Sequence, residues 1–282
     1  MRTHSYRRKW TRWILRLAAA ALLIELTLTA LLWWNQEALL FMPTREYGTL
    51  PGDSGLKHEE IDIEVEPGTT IRGWFIPAPI EPIGTVLYFH GNSRNLSYYI
   101  PRIAPFAAAG FDSLSIDYEG YGASDGTPSE KNIYRDADAA WNWLTRTKGV
   151  KPDRIIVWGY SLGGAAATWC ASKHEVGAVV LESTFTTMPD VGAHLYPWLP
   201  VRLVSRYQFA NKDRVAKIRV PILIGHGNAD RLIPFEMGEE LYRAANEPKR
   251  FIGHAGDHGA GLVEDPATWS DVRRFLEEAG FR

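Results

Sequence analysis

The stretch that decides the fold runs from Arg154 to Trp169 and reads RIIVWGYSLGGAAATW. Its first half is apolar, its second half is rich in alanine, and Ser161 stands among glycines between them. A strand that turns directly into a helix leaves almost no room for side chains, and glycine fits such a turn. The pattern therefore predicts that Ser161 is lifted out of the core at the carboxyl end of a central strand, where a nucleophilic serine would stand.

Similar apolar runs recur along the chain and alternate with segments of helical spacing. Runs that are apolar throughout are typical of strands buried on both faces of a parallel sheet, and they lie at 85–92, 111–118, 177–183 and 220–227. Apolar residues recur at helical spacing in 129–148, and the alternation in 61–77 predicts a hairpin around Pro67 and Gly68. Alternating strands and helices predict an α/β fold, with a mostly parallel central sheet and helices on both faces.

Residues that follow later strands supply the partners that a serine nucleophile needs. In a parallel sheet the ligand lies beyond the carboxyl ends of the strands, and a serine hydroxyl needs a base and an acid that orients the base. Asp230 follows the run at 220–227, and His258 follows the last β-like run. We predict that His258 is the base and Asp230 the acid, with Glu182 as an alternative acid and His254 as an alternative base.

Acyl transfer also requires hydrogen-bond donors for the oxyanion that forms. The backbone N–H of Leu162, directly after the predicted nucleophile, is one candidate, and the loop after the run at 85–92 supplies the other, for which we choose Asn92. Because these are main-chain donors, their side chains are expected to tolerate substitution. His90 and His226 also follow strands, and we expect both to shape loops rather than transfer protons.

The N-terminus combines a basic flank with an apolar segment. Residues 17–34 are mostly apolar and about long enough to cross a bilayer as a helix, and the basic residues before them are Arg2, Arg7, Arg8, Lys9, Arg12 and Arg16. Because a basic flank remains in the cytoplasm, we predict an uncleaved transmembrane anchor at 17–34 and a cytoplasmic segment at 1–16. The rest of the chain is then extracytoplasmic, or periplasmic if the protein is bacterial. A cleaved signal peptide is the alternative.

The composition is that of an ordinary globular protein. Of the 282 residues, 45% are hydrophobic and 23% charged, and the formal net charge is -2, which excludes a disordered chain or one that coats nucleic acid. The single cysteine, Cys170, excludes an internal disulfide and a multi-cysteine zinc site, and we expect it in the core. Neither a metal nor an organic cofactor is expected.

Several motifs occur in an order that resembles the α/β-hydrolase superfamily, namely HGNS, DYEGYGASDG, GYSLGG, ESTF, HGNADRLIP and GDHG. More closely, the chain from Leu39 onward is similar to the Bem46-like group of membrane-anchored serine hydrolases, which includes mammalian hydrolases of the depalmitoylase type. This resemblance implies an α/β-hydrolase fold. It implies that Ser161 is the nucleophile, Asp230 the acid and His258 the base. It also implies that the backbone amides of Asn92 and Leu162 form the oxyanion hole. One departure is Glu119 in DYEGYG, where the group usually carries arginine, and we expect it to change the charge near the mouth of the site.

The part after the anchor divides into a segment at 35–60 that leads into the domain and a hydrolase domain at 61–282. Within the domain, 184–212 has no strand pattern and is predicted to form a small cap over the strand ends. Its aromatic residues, which we expect either to wall an acyl pocket or to pack a connecting helix, are Phe185, Tyr196, Trp198, Tyr207 and Phe209.

These features together predict a membrane-anchored serine hydrolase that cleaves an acyl ester or thioester through an acyl-enzyme. The expected partners are a small-molecule or lipid-like acyl substrate and, through the N-terminal helix, the membrane; nucleic acid is not expected. Two alternatives stay open. One is a serine peptidase of the aminopeptidase type that uses the same three residues, and the other is a non-catalytic anchored binding or scaffold protein.

Overall fold

The structure is a computed structural model that describes residues 3–282, with side chains from Trp10 onward. Met1, Arg2 and the side chains of Arg7, Arg8 and Lys9, all in the predicted basic flank, lie outside the described residues. The strands are β1 (Met42–Pro43), β2 (Glu59–Glu66), β3 (Thr69–Ile76), β4 (Thr85–Phe89), β5 (Ser93–Arg94), β6 (Asp112–Ile116), β7 (Ile155–Tyr160), β8 (Ala178–Glu182), β9 (Ile222–Gly227) and β10 (Lys249–His254). The helices are α1 (Thr3–Leu40), α2 (Ile100–Ala108), α3 (Glu130–Asn142), α4 (Gly163–Lys173), α5 (Met188–Leu195), α6 (Val201–Val204), α7 (Asn211–Val215), α8 (Phe235–Ala244) and α9 (Pro266–Glu278).

One eight-stranded sheet organises the domain, in the order β10-β9-β8-β7-β4-β6-β3-β2. The strands from β10 to β6 in this order run parallel, while β3 is antiparallel to β6 and β2 is antiparallel to β3. The predicted hairpin is β2 and β3, joined at Pro67 and Gly68. The mostly parallel sheet that the sequence predicts is therefore confirmed, and its carboxyl ends meet at one edge.

Helices cover both faces of this sheet, as predicted, and each face has its own apolar core. On one face, Ala137 of α3 and Ala166 of α4 are buried in a cluster with residues of the central strands. On the other face, Phe106 of α2 and Phe275 of α9 pack in a second cluster. The central strands β4, β7 and β8 are buried along their whole length, which explains why their sequences are apolar throughout.

The glycines around Ser161 are required by the close approach of β7 and α4. A Cβ atom on Gly159 would lie 2.3 Å from the carbonyl oxygen of Gly163, and one on Gly163 would lie 2.0 Å from the carbonyl oxygen of Phe89. On Gly164 it would lie 2.2 Å from Oγ1 of Thr184. Larger residues would push helix and strand apart, so the glycines hold α4 directly behind the turn that carries the serine.

The predicted helix at 129–148 forms, although its last turns are wider than an α-helix. Ser129 caps α3, since its hydroxyl accepts a hydrogen bond from the N–H of Asn132 at 3.1 Å, and a π-helical turn at Trp143–Thr147 follows the helix.

The long helix α1 stands apart from the sheet. Its residues Trp10–Leu40 are long and apolar enough to cross a membrane, and at 1.5 Å per residue 31 residues extend about 46 Å. The predicted anchor, 17–34, lies within this helix. The helix continues to Leu40, where its end meets the domain because the carbonyl of Leu40 accepts a hydrogen bond from the side-chain amide of Asn92 at 2.9 Å.

Candidate active site

Ser161 occupies the turn between β7 and α4, in a backbone conformation that a residue with a side chain rarely adopts. Its φ is 53°, in the left-handed region, where strain persists only if the surroundings hold it. Three hydrogen bonds do so. The Ser161 N–H donates to the carbonyl of Glu182 at 2.8 Å, and the Ser161 carbonyl accepts from the N–H of Gly164 at 3.0 Å and from the hydroxyl of Thr184 at 2.7 Å.

The structure brings Ser161, His258 and Asp230 into one hydrogen-bonded chain. Nε2 of His258 lies 3.0 Å from Oγ of Ser161, and Nδ1 of His258 lies 2.7 Å from Oδ2 of Asp230. With the proton on Nδ1, the imidazole donates to the carboxylate and offers Nε2 as the acceptor for the serine proton. The three side chains therefore lie within reach for proton transfer from the serine to the histidine.

Asp230 is held as a carboxylate although its side chain is fully buried. Burial alone would raise the pKa of this carboxyl group, but hydrogen bonds from His226, His258 and the backbone N–H of Ile233 outweigh burial and lower the pKa below its usual range. Its Oδ1 accepts hydrogen bonds from the backbone N–H groups of Leu232 and Ile233, each at 2.9 Å. The negative charge of Asp230 thus lies against Nδ1 of His258.

The loop that carries His258 is held by a buried ion pair that sequence reasoning missed. The Tyr160 hydroxyl donates to the carbonyl of His258 at 2.8 Å, and the Arg102 guanidinium donates to the carbonyl of Gly259 at 2.5 Å while lying over the Tyr160 ring. Arg102 also forms a short, charge-assisted contact with Glu182. An arginine in the otherwise apolar helix α2 was the signal in the sequence that could have revealed this brace.

Glu182 belongs to this brace and does not orient the imidazole. Its Oε2 accepts from the indole N–H of Trp158 at 2.8 Å and its Oε1 accepts from the N–H of Leu262 at 3.2 Å. Since its carboxylate is occupied by these donors and by Arg102, the structure does not support the alternative in which Glu182 is the acid.

Asn92 and Leu162, the two predicted oxyanion-hole residues, line the same cavity as Ser161. Within the part of the chain that the structure describes, neither backbone N–H has a hydrogen-bond acceptor, so both are available to a ligand. The Asn92 carbonyl accepts from the N–H of Met42 at 3.0 Å and from the hydroxyl of Tyr121 at 2.8 Å, and its side chain binds the end of α1. The Asn92 side chain therefore has a contact that the sequence analysis did not predict.

An apolar cavity of about 230 Å³ adjoins Ser161. One side of it is formed at the strand ends by Ser161, Leu162 and the loop residue Asn92. The opposite side, which we call the helical wall, consists of the residues that α1, α5 and α6 contribute, namely Leu32, Gln36, Leu39, Leu40, Met188, Val191, Gly192, Leu195, Val201 and Val204. Such a cavity suits the hydrocarbon part of a substrate.

Comparisons with known proteins agree with the fold of the domain. Residues 84–217 match the family model described as the alpha/beta hydrolase fold. A relative from Mycobacterium tuberculosis, described as an uncharacterized protein, is 32% identical over 269 residues, which cover 94% of this chain and 95% of the relative. YfhR from Salmonella typhimurium, also described as uncharacterized, is 32% identical over 239 residues, or 78% of this chain and 80% of the relative. The chain belongs to the α/β-hydrolase superfamily.

Two solved structures are similar to this hydrolase, and one of them is named as an esterase. An esterase from Pyrococcus furiosus superposes with a TM-score of 0.70 at 25% identity, and the match covers 84% of this chain and 98% of the esterase. An α/β-hydrolase from Vibrio vulnificus superposes with a TM-score of 0.65 at 22% identity, covering 83% of this chain and 88% of that one. The first likeness supports an esterase-like hydrolase, and the second shows the fold alone.

In the described part of the chain, His90, His226 and His254 have no hydrogen bond to Ser161, although His226 adjoins Asp230, with its Nε2 at 3.4 Å from Oδ2. His90 is buried beside the ring of Tyr118 and contacts the carbonyl of Gly91 at 2.7 Å. His226 is buried with Nε2 at 2.9 Å from the carbonyl of Ile233. Both positions agree with a role in loop structure. Among described residues, the one hydrogen-bond contact of the ring of His254, the alternative base, is that of Nδ1 with the carbonyl of Ala255 at 3.4 Å.

Two further expectations are settled by burial. Glu119 is buried at 2% exposure and binds Arg135 and Asn132, so it does not line the cavity, and the expectation that it changes the charge at the mouth of the site is wrong. Cys170 is buried in α4, as expected.

Among the described residues, no group of three or more His, Cys, Asp or Glu side chains could hold a metal ion.

The aromatic residues of the segment 184–212 divide between the cavity and the core. Phe185, Tyr196 and Tyr207 line the cavity, Phe209 is fully buried, and Trp198 is exposed. The segment thus serves both as a wall of the cavity and as packing against the domain.

Proposed function

We propose that this hydrolase is a serine esterase or thioesterase that is anchored to a membrane by α1 and acts through an acyl-enzyme. The observation that carries the proposal is the hydrogen-bonded chain Ser161–His258–Asp230 beside an apolar cavity. Acyl transfer needs an exposed nucleophile and donors for an oxyanion. Ser161, whose backbone is in the left-handed region between a strand and a helix, and the two backbone N–H groups beside it meet these needs.

The reaction follows from these contacts. Oγ of Ser161 attacks the acyl carbonyl while Nε2 of His258 takes its proton, and the fixed charge of Asp230 stabilises the imidazolium. The developing oxyanion accepts hydrogen bonds from the backbone N–H groups of Leu162 and Asn92. His258 then gives the proton to the departing alcohol or thiol, and water, activated by the same imidazole, releases the acid from Ser161.

The membrane topology in this proposal comes from the N-terminal sequence. We place the basic flank in the cytoplasm and the hydrolase domain on the other side of the membrane, because basic residues favour the cytoplasmic side. The same topology and the motif order support a place in the Bem46-like group. Mass spectrometry of the mature protein tests the anchor, since a chain that begins near Ala30 would mean that a signal peptide had been removed.

A fluorophosphonate probe on the full chain tests the nucleophile. We expect the wild-type protein to be labelled and Ser161→Ala to be unlabelled. The matched control is Ser183→Ala, because Ser183 ends the next strand, also has positive φ at 47° and is buried, yet does not line the cavity. Loss of labelling in the control alone, or no labelling of the folded wild-type protein, would contradict the proposal, and the latter would favour a scaffold.

A substrate panel tests the reaction class. We expect p-nitrophenyl esters and acyl thioesters to be cleaved faster than aminoacyl amides, because the cavity is apolar and no Asp or Glu among the described residues lines it to bind an amino group. Faster cleavage of the amides would favour the peptidase.

A further inference from the structure

The last turns of α1 contribute one face of the helix to the catalytic cavity. Leu32, Gln36, Leu39 and Leu40 line it, and their spacing places them on one side of an α-helix. From Leu32 to Leu40 the helix rises about 12 Å. A helix that is apolar enough to cross a membrane therefore also forms part of the wall that faces Ser161.

Specific polar contacts fix α1 against the cap. The side-chain amide of Gln36 donates to the carbonyl of Val204 at 2.9 Å and accepts from the N–H of Arg206 at 2.7 Å. Gln36 thus joins the anchor to the chain that leaves α6. Near the helix end, the buried Phe41 packs edge-on against Tyr207, with ring centroids 5.3 Å apart. These contacts hold the last turn of α1 against the cap.

Exposed apolar side chains continue from α1 onto the cap. Trp34 on α1 is 77% exposed, and Leu203 on α6 is 87% exposed, next to the Val204 carbonyl that binds Gln36. Large apolar side chains exposed in this way are costly in water. Because both lie on or beside the helix that is long enough to span a bilayer, the lipid bilayer is the occupant that fits them.

We propose that α1 is part of the acyl-binding site, and that long-chain acyl esters or thioesters reach Ser161 from the bilayer between α1 and α6. This inference rests on the proposed esterase or thioesterase function. The chain of the acyl group lies along Leu39, Gln36 and Leu32, with its carbonyl at Ser161. The anchor then selects the acyl chain as well as holding the enzyme at the membrane.

Chain-length selectivity tests the binding site. The full-length protein in phosphatidylcholine vesicles is assayed with p-nitrophenyl butyrate and p-nitrophenyl palmitate. Leu32→Trp fills the far end of the cavity, so we expect kcat/KM for palmitate to fall at least about tenfold while butyrate turnover changes less than about twofold. The matched control is Leu31→Trp, one residue away on α1 but outside the cavity, which should leave both substrates unchanged.

The outcomes separate the inference from the function on which it rests. If Leu32→Trp leaves palmitate turnover unchanged, or lowers both substrates equally, α1 does not bind the acyl chain, although Ser161-dependent cleavage of butyrate would still uphold the esterase. If the wild-type protein cleaves neither ester nor thioester and reacts with no fluorophosphonate, the proposed function itself fails, and this inference fails with it.

A charge on the cap tests the route from the bilayer. Leu203→Asp places a carboxylate on the surface that we assign to lipid, so KM for palmitate in vesicles should rise about threefold or more, with butyrate unchanged. The control is Ile80→Asp, because Ile80 is also exposed, at 68%. It precedes β4 and so lies toward the amino ends of the parallel strands, away from their carboxyl ends. Equal effects of the two substitutions on palmitate would overturn the proposed route.

Discussion

The two sides of the catalytic cavity are built in different ways. On the strand-end side, Ser161, Asp230 and His258 follow three strands of one parallel sheet, and buried hydrogen bonds fix each of them. The helical wall comes from α1 and the short helices α5 and α6, whose residues are partly exposed and joined by few polar contacts. We infer that the first side carries the chemistry and the second selects the substrate, so substitutions on the two sides should change different kinetic constants.

The largest expected effect is on the strand-end side. His258→Ala removes the only base within reach of Ser161 among the described residues, so kcat should fall at least about 10⁴-fold without unfolding the domain. Steady-state kinetics measure kcat, and circular dichroism shows whether the domain is folded. His254→Ala is the control and should change kcat less than about twofold. If His254→Ala has the larger effect, the base is assigned to the wrong histidine.

A smaller effect is expected for the brace behind His258. Arg102→Met leaves the buried carboxylate of Glu182 unpaired, which costs about 3–5 kcal/mol of unfolding free energy. The double variant Arg102→Met/Glu182→Gln removes both charges and keeps one acceptor oxygen, for the indole N–H of Trp158 or the N–H of Leu262. It should regain part of the stability while kcat stays about 10- to 100-fold low at unchanged KM, because the carbonyl of Gly259 lacks its donor. Recovery of kcat together with stability would show that the pair only stabilises the fold.

On the helical wall the expected effect falls on KM. Val201→Ala removes two methyl groups from a cavity-lining side chain, so KM for p-nitrophenyl octanoate should rise about three- to tenfold with kcat nearly constant. Val65→Ala, at a half-buried valine outside the cavity, is the control. A fall in kcat at constant KM would remove the distinction between the two sides.

The smallest effect concerns stability against pH. Despite burial, the hydrogen bonds to Asp230 lower its folded-state pKa from the ordinary value of 3.8, so its ionised form stabilises the fold above pH 3.8, and this contribution is lost as the pH falls through the lower folded-state pKa. The Tm difference between wild type and Asp230→Asn, a few degrees near neutral pH, should therefore shrink with acidification below about pH 4. A difference that stays constant down to pH 2 would contradict this charge state.

The contrast between the two sides also explains how far the sequence could be interpreted. The strands, the turn at Ser161 and the positions of Asp230 and His258 leave periodic or local marks, since strand ends of a parallel sheet converge. Nothing periodic marks the contact between Gln36 and Val204 or between Asn92 and Leu40, because these pairs are distant in sequence. Apolar content alone ended the predicted anchor at Trp34, whereas the helix continues to Leu40 and ends where Asn92 binds it.

The charged residues were misjudged for the same reason. Glu119 follows a strand, and its partner Arg135 lies on α3, so its burial could not be foreseen from the motif around it. Arg102 and Glu182 are 80 residues apart, so although an arginine stands out in the apolar helix α2, the sequence does not identify Glu182 as its partner. Ion pairs of this kind become visible only when the fold brings the two elements together.

The central claim is an acyl-enzyme on Ser161, and trapping it is the most direct test. The full-length protein is mixed with p-nitrophenyl octanoate, quenched in acid within the first turnover and digested for mass spectrometry. We expect an octanoyl group on the peptide that contains Ser161, and its disappearance as turnover ends. An octanoyl group on another residue, or hydrolysis by a folded Ser161→Ala variant at the wild-type rate, would contradict the account.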